Sequence, residues 1–173
     1  AGFLLIGVIA TNNTGLGATL FYLLAYGVST VGAFAVVSLV RDPAGEATKL
    51  SSWVGLGKRS PMVAGAFALF LLAFAGIPLT SGFTAKFYIF TAGVAGGATP
   101  VVIAAVIASA ISAFFYARII VLMFFTEPRT DEVSVVIPSN LTSIAIGVSV
   151  AITVLLGIVP QPVIDLAQKA SIF

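Results

Sequence analysis

Residues 76–82 read Gly76-Ile77-Pro78-Leu79-Thr80-Ser81-Gly82, and they lie in the middle of the long apolar run Met62–Ala92. A straight helix of that length would measure about 46 Å, against a bilayer core of about 30 Å. Pro78 removes a backbone donor and clashes with the preceding turn, and the flanking glycines free the backbone. We therefore predict two half-helices, Met62–Ala75 and Phe83–Ala92, joined by a non-helical bridge at membrane depth. Such a bridge is tolerated there only inside protein or beside water.

The composition places the whole chain in a membrane. Of its 173 residues, 60% are hydrophobic and 8% are charged, whereas a soluble domain has about 25% charged residues. The predicted spans are a partial one at 1–10, then 16–40, 62–92 with its break, 100–126 and 141–159. The fold class is all-α, a polytopic transmembrane helix bundle with one Pro/Gly-broken helix, in a single membrane domain over residues 1–173. Because the first apolar run is about half a span long, we expect a C-terminal fragment of a longer protein.

The charges outside the spans predict the orientation. The loops at 41–61 and 126–140 hold the basic residues Arg41, Lys49, Lys58, Arg59 and Arg129, whereas the other side holds Lys169. Basic residues concentrate on the cytoplasmic side of membrane proteins. Both loops are therefore expected in the cytoplasm, and the C-terminus outside.

Lys86 is the sharpest candidate for a functional group, because the apolar sequence on both sides of it carries no other charge from Met62 to Ala117. A charged lysine at a helix centre costs about 2.5–3.5 kcal/mol. Desolvation and the positive end of the second half-helix both favour the neutral amine, so Lys86 could accept and release a proton. The alternative is a lysine whose side chain snorkels to the interface.

Small and hydroxyl-bearing residues surround Lys86. The break is attributed to Gly76, Pro78 and Gly82. The hydroxyl-bearing residues beside it are Thr80, Ser81 and Thr84. Their hydroxyls are expected to cap the amides of the second half-helix, or else to hold water beside the amine. The small-residue stretch 104–110, which includes Ser109, predicts close helix packing.

Two residue types that commonly bind metals and clusters are absent from the sequence. There is no cysteine and no histidine, so we expect no metal site and no bound flavin, haem or iron–sulfur cofactor. The expected partners are the lipid bilayer and other membrane subunits, and nucleic acid is not expected among them.

The run Ala75–Tyr88 resembles the broken-helix segment of the antiporter-like membrane subunits of respiratory complex I, the bacterial proton-translocating NADH-quinone oxidoreductase. Further similar segments cover most of the chain, and they are Ala1–Leu5, Tyr26–Leu39, Gly55–Pro61, Phe115–Arg118 and Gly157–Pro162. Within this family, Phe87-Tyr88 and the ending Pro160-Gln161-Pro162 favour the subunit N branch over its paralogues.

The resemblance implies a fold of fourteen transmembrane helices, of which this chain would supply the end of the tenth and the whole of the last four. It implies that Lys86 is a catalytic proton relay in a central hydrophilic axis, where one paralogue has a glutamate. It also implies a non-redox subunit of a translocase in the bacterial inner (plasma) membrane. NADH, FMN, iron–sulfur clusters and quinone would then be bound by other subunits, with no cofactor in this chain.

Two other functions stay open from the sequence. One is a subunit of a multisubunit cation/proton antiporter. Flavin and iron–sulfur absorbance of the native complex would distinguish an NADH-quinone oxidoreductase from such an antiporter. The other is a purely structural membrane scaffold, in which Lys86 is a tolerated charge and its neutral replacement has no functional effect.

Overall fold

The computed structural model describes residues 2–10, 13–42, 45–127, 134–136 and 138–171. Within these residues the helices are α1 Leu4–Ile9, α2 Asn13–Val37, α3 Leu56–Arg59, α4 Pro61–Ala75, α5 Ser81–Ala95, α6 Thr99–Phe125, α7 Asn140–Ile158 and α8 Gln161–Ala170. The strands are β1 Val40–Asp42, β2 Gly45–Glu46 and β3 Ser134–Val135, and a single 3₁₀ turn covers Leu50–Trp53. The predicted all-α bundle with one broken helix is confirmed, and the short strands are an addition at one end.

The break separates α4 from α5 over residues 76–80. α4 begins at Pro61, where a helix does not need the missing N–H. It ends at Gly76, whose φ of 83° is in the left-handed region that glycine adopts readily. The N–H groups of Gly76 and Ile77 both donate back to the carbonyl oxygen of Leu72. This arrangement satisfies carbonyls that the end of a helix leaves unpaired.

The rest of the break is held by a close approach of α7. Pro78 lies outside both helices, so its missing N–H removes no helical hydrogen bond. Leu79 has a φ of 71°, which is unfavourable for a residue with a side chain. Gly157 of α7 packs directly on the backbone of Leu79 and Thr80, where a Cβ atom would overlap the Leu79 carbonyl.

The long helices correspond to the other predicted crossings. Among the described residues, Thr14–Val37, Thr99–Phe125 and Asn140–Ile158 are long and apolar enough to cross a membrane. α4 and α5 have 15 residues each, or about 22 Å of helix per half. α2 ends at Val37 rather than at residue 40, because the chain turns at residues 38–39 and begins β1 at Val40.

α2 is the central helix of the bundle and packs against α1, α4, α5, α7 and α8. Its C-terminal half joins an apolar cluster with α4 and α6, in which Trp53 stacks on Phe67 with 4.7 Å between ring centroids. Its N-terminal half joins a second cluster with α1, α5 and α8 that includes Phe21 and Ile89. The break connects α4 of the first cluster with α5 of the second.

The two polar loops meet at one end of the bundle. β1 pairs antiparallel with both β2 and β3, with Arg41 opposite Ser134. The Lys58 ammonium also forms an ion pair with Glu127, just beyond α6. The loops at 41–61 and 126–140 are therefore on the same side, and which face of the membrane this is stays a prediction.

α8 is a helix that the sequence analysis did not predict. It follows α7 after two residues and has Pro162 in its first turn. Val163, Ile164 and Ala167 pack into the second apolar cluster, and the Gln168 amide donates to the Tyr88 hydroxyl. α8 therefore anchors the end of the chain on α2 and α5.

Candidate functional site at the helix break

Lys86 lies in the second turn of α5 and is buried, with 7% of its surface exposed. Its Nζ atom donates to the carbonyl oxygens of Phe74 and Ala75 at 2.7 and 3.1 Å. It also donates to the Ser109 hydroxyl of α6 at 2.8 Å. One side chain thus connects both halves of the broken helix with a third helix.

The two carbonyl groups are available because α4 ends beside Lys86. The last carbonyls of a helix have no partner within it, and together they form the negative end of its dipole. A lysine amine is a suitable partner for such groups. The sequence predicts only that the positive end of the second half-helix acts on this amine. The structure shows that the amine contacts the end of α4 as well.

Both glycines of the break make room for this contact. A Cβ atom on Gly76 would lie 2.9 Å from Cδ and 3.2 Å from Nζ of Lys86. A Cβ atom on Gly82 would overlap the carbonyl oxygen of Ala73. Gly76 therefore leaves space for the lysine side chain, and Gly82 lets the two half-helices approach closely.

The hydroxyl groups of the break were expected to cap the amides of α5, and the structure shows other contacts. Thr80 precedes the first residue of α5, but its hydroxyl donates backwards to the Ile77 carbonyl at 2.7 Å and caps no amide. Ser81 is fully buried and lies 3.4 Å from the Ser29 hydroxyl of α2. Thr84 is partly buried in the first turn of α5. In the described residues, none of these three hydroxyls bonds to the Lys86 amine.

A cavity of about 190 Å³ adjoins Lys86. A water molecule takes about 30 Å³ in the liquid, so several would fit. Most of the lining residues come from α2, α4, α5 and α6, and the polar ones besides Lys86 are Tyr22, Tyr26, Ser29, Ser112 and Tyr116. The Phe3 ring also lines it, with its centroid 5.2 Å from Nζ, a distance suited to a cation–π contact. Lys86 thus borders a space with hydroxyl groups on two helices.

Ser109 is the contact that sequence reasoning missed. It lies in the small-residue stretch of α6, where a serine is indistinguishable from a packing residue. The only available signal was a hydroxyl on an apolar helix, which does not identify its partner. As for metals, no group of three or more His, Cys, Asp or Glu side chains suited to one occurs among the residues that the structure describes.

A family model described as NADH:quinone oxidoreductase/Mrp antiporter, TM, matches residues 1–112, which is more than half of the chain. The chain belongs to this NADH:quinone oxidoreductase/Mrp antiporter family. The matched part contains the break, Lys86 and Ser109, so the site lies within the family's own segment.

Individual relatives agree with the subunit N branch that the sequence favours. NADH-quinone oxidoreductase subunit N of Rhodococcus opacus (strain B4) is 62% identical over 173 residues, which are 100% of this chain and 32% of the relative. Subunit N of Mycobacterium tuberculosis (strain ATCC 25618 / H37Rv) is 56% identical over 98% of this chain and 33% of the relative. The predicted resemblance is confirmed, and the chain spans about a third of the length of these family members.

Solved structures share the fold. Respiratory complex I from Thermus thermophilus with bound aureothin contains a chain that is 27% identical, with a TM-score of 0.81, over 95% of this chain and 36% of that one. An archaeal respiratory membrane complex, the membrane-bound sulfane sulfur reductase, matches at 26% identity and a TM-score of 0.75, over 91% of this chain and 31% of the other. The family fold therefore occurs in more than one kind of respiratory membrane complex.

Proposed function

We propose that this chain is the C-terminal portion of a membrane subunit of a proton-translocating NADH:quinone oxidoreductase, and that Lys86 relays protons in it. The observation that carries the proposal is the buried Lys86 amine, bonded to the open end of α4 beside a cavity lined with hydroxyl groups. A buried, satisfied amine next to a hydratable space is the kind of group that proton pathways use inside membranes. The subunit N relatives support the assignment.

In this proposal the subunit takes no part in electron transfer. NADH, FMN, the iron–sulfur clusters and quinone are bound by other subunits in this proposal, and the 173 residues contain no cysteine or histidine that could ligate an iron–sulfur cluster. The contribution of the chain to the enzyme is the movement of protons. Gly76, Pro78 and Gly82, together with Thr80, Ser81 and Thr84, shape the break that holds the amine.

The proposed location is the bacterial inner membrane, with other membrane subunits of the complex as partners. The loops at 41–61 and 126–140 face the cytoplasm and the C-terminus faces outside, as the excess of basic residues in these loops favours. Large apolar side chains on α6, including Ile111 and Phe114, are exposed on this chain. Lipid or other parts of the complex would cover such a surface.

The proposal is tested with Lys86→Met in the full-length subunit of the assembled complex. Methionine fills a similar volume without a titratable group. We expect the complex to assemble, and the initial rate of proton uptake by inverted membrane vesicles during NADH oxidation to fall several-fold. Lys169→Met is the matched control, because Lys169 is exposed on α8. Unchanged proton uptake in Lys86→Met would contradict the relay and favour a structural scaffold.

A cation/proton antiporter is the second candidate, since the description of the matching family covers both kinds of protein. The two are distinguished by purifying the native complex and recording its absorbance spectrum. Flavin and iron–sulfur absorbance with NADH oxidation supports the oxidoreductase. A colourless complex that exchanges cations for protons would favour the antiporter.

A further inference from the structure

The charged form of Lys86 has three N–H bonds, and the structure gives it three acceptors. These are the carbonyl oxygens of Phe74 and Ala75 and the hydroxyl oxygen of Ser109, at 2.7, 3.1 and 2.8 Å from Nζ. Each proton of the ammonium group therefore has a partner, as a buried cation requires.

The three partners are not equivalent when Lys86 is neutral, because they differ in whether they can donate a hydrogen bond to it. A neutral amine keeps two N–H bonds and has a lone pair that needs a donor. The carbonyl groups of Phe74 and Ala75 only accept hydrogen bonds, whereas the hydroxyl of Ser109 both donates and accepts. Two N–H bonds can remain on the carbonyls while Ser109 turns its O–H bond towards Nζ. Ser109 is thus the partner that suits both protonation states without movement of the helices.

The position of Ser109 also suits the transfer of a proton away from the buried amine. Lys86 is buried, whereas Ser109 is partly exposed on α6. Ser112, three residues further along α6 and on the same face, lines the cavity beside Lys86. The carbonyls of Phe74 and Ala75 instead belong to the last residues of α4. A proton that leaves Nζ along its third N–H bond therefore meets a hydroxyl group about one helical turn from Ser112, which lines a cavity large enough for several water molecules.

We propose that Ser109 is the group through which Lys86 exchanges its proton, an inference that rests on the relay function proposed above. On release, the Nζ–H bond that points to Ser109 breaks and the proton binds Oγ. The original hydroxyl proton of Ser109 passes to a hydrogen-bonded water molecule, which becomes hydronium. Lys86 loses one positive charge and the water gains it, and Ser109 is left as a neutral hydroxyl that donates to Nζ. Uptake is the reverse of these steps.

The test compares Ser109→Ala with Ser109→Thr in the assembled complex. Alanine keeps the helix, for which it is the best former, but removes the hydroxyl, and threonine restores one. We expect Ser109→Ala to lower proton uptake per NADH oxidised several-fold and Ser109→Thr to recover most of it. Because proton transfer becomes slower in Ser109→Ala, its solvent deuterium isotope effect should increase, which a purely structural role would not cause.

The control is Thr91→Ala on α5, because the exposed Thr91 hydroxyl donates to the Tyr88 carbonyl of its own helix at 2.9 Å. Parent-level uptake in Ser109→Ala, with impaired uptake in Lys86→Met, would overturn the role of Ser109 and leave the relay function intact. Parent-level uptake in Lys86→Met would instead overturn the relay function itself. Equal impairment of Ser109→Ala and Ser109→Thr in assembled complexes would show that Ser109 acts by packing and would overturn the inference.

Discussion

The amine of Lys86 reaches the carbonyl oxygen of Phe74, 12 residues earlier in the chain, at a distance of 2.7 Å. The donor is on α5 and the acceptor is at the end of α4, so the contact exists because the helix is broken between them. In a continuous helix the Ala75 carbonyl would accept from the amide of Leu79, whereas the Phe74 carbonyl would face Pro78, which has no N–H. The break therefore creates the binding partners of the lysine, and substitutions in the break should change its position.

Gly76→Ala is expected to disturb Lys86 directly. The φ of 83° at Gly76 costs a residue with a Cβ atom about 1–2 kcal/mol. The new methyl group would also lie 2.9 Å from Cδ of Lys86, so the side chain must shift. We expect a lower midpoint of thermal unfolding of the complex together with reduced proton uptake. The control is Gly65→Ala within α4, where a Cβ atom meets nothing within 4 Å. It should be neutral or stabilising by about 0.5–1 kcal/mol.

Gly82→Ala should be more damaging than Gly76→Ala. Its Cβ atom would overlap the backbone carbonyl of Ala73, and a backbone atom cannot turn aside as a flexible side chain can. Overpacking of this kind costs about 1–3 kcal/mol. We expect less assembled complex in native gels. Gly27→Ala in α2, where a Cβ atom has open space, is the control, and assembly of Gly82→Ala at the level of Gly27→Ala would contradict this packing.

The break could be predicted from the sequence because its signal is local. Pro78 between Gly76 and Gly82, in an apolar run too long for one crossing, is enough to divide the helix. The same run favours burial of Lys86 but leaves open a side chain that snorkels to the interface, and in the structure the amine is buried and bonds to the end of α4. The bonds of Thr80 were not predictable in this way. Its hydroxyl can accept from an amide or donate to a carbonyl, and the backbone of the break decides between them.

Tertiary contacts account for what the sequence did not predict. Ser109 contacts Lys86 across 23 residues of chain, and nothing near Ser109 in the sequence identifies its partner. β1 and β3 are two to three residues long, and such strands form only because two distant loops meet. α8 is short and polar on one side, so it lacks the apolar length by which the other helices were identified.

Three buried hydroxyl groups should stabilise the contact of α2 with α5 and α7. Ser29 donates to the Ala25 carbonyl, which uses its one proton, so Thr153 donates to Ser29 across 3.1 Å. Ser81 lies 3.4 Å from Ser29 on the other side. Thr153→Val keeps the shape and removes the donor. In a double-mutant cycle with Ser29→Ala, measured by unfolding in detergent, we expect a coupling of about 0.6 kcal/mol, and at most about 1.7. A coupling of zero would contradict the bond.

The pairing of β1 with β3 predicts a cross-link between the two polar loops. Arg41 and Ser134 are opposite residues in this antiparallel pair, where Cα atoms are about 4.5–5.5 Å apart. Disulfides require about 4.4–6.8 Å. The 173 residues contain no native cysteine. Arg41→Cys with Ser134→Cys should therefore form a disulfide on mild oxidation, seen as a mobility shift that reductant reverses. Each single cysteine is the control, and failure of the pair to cross-link would contradict the register.

The membrane orientation is tested by a cysteine at each end of the bundle. Thr48 is exposed in the loop between the strands and α3, and Gln161 is exposed at the start of α8. If the basic loops are cytoplasmic, a membrane-impermeant thiol reagent should label Gln161→Cys in intact cells and Thr48→Cys only in inverted vesicles. Detergent should expose both cysteines, which controls for their reactivity. The reverse pattern would place the loops outside and the C-terminus in the cytoplasm, because an odd number of crossings between the two positions keeps them on opposite faces.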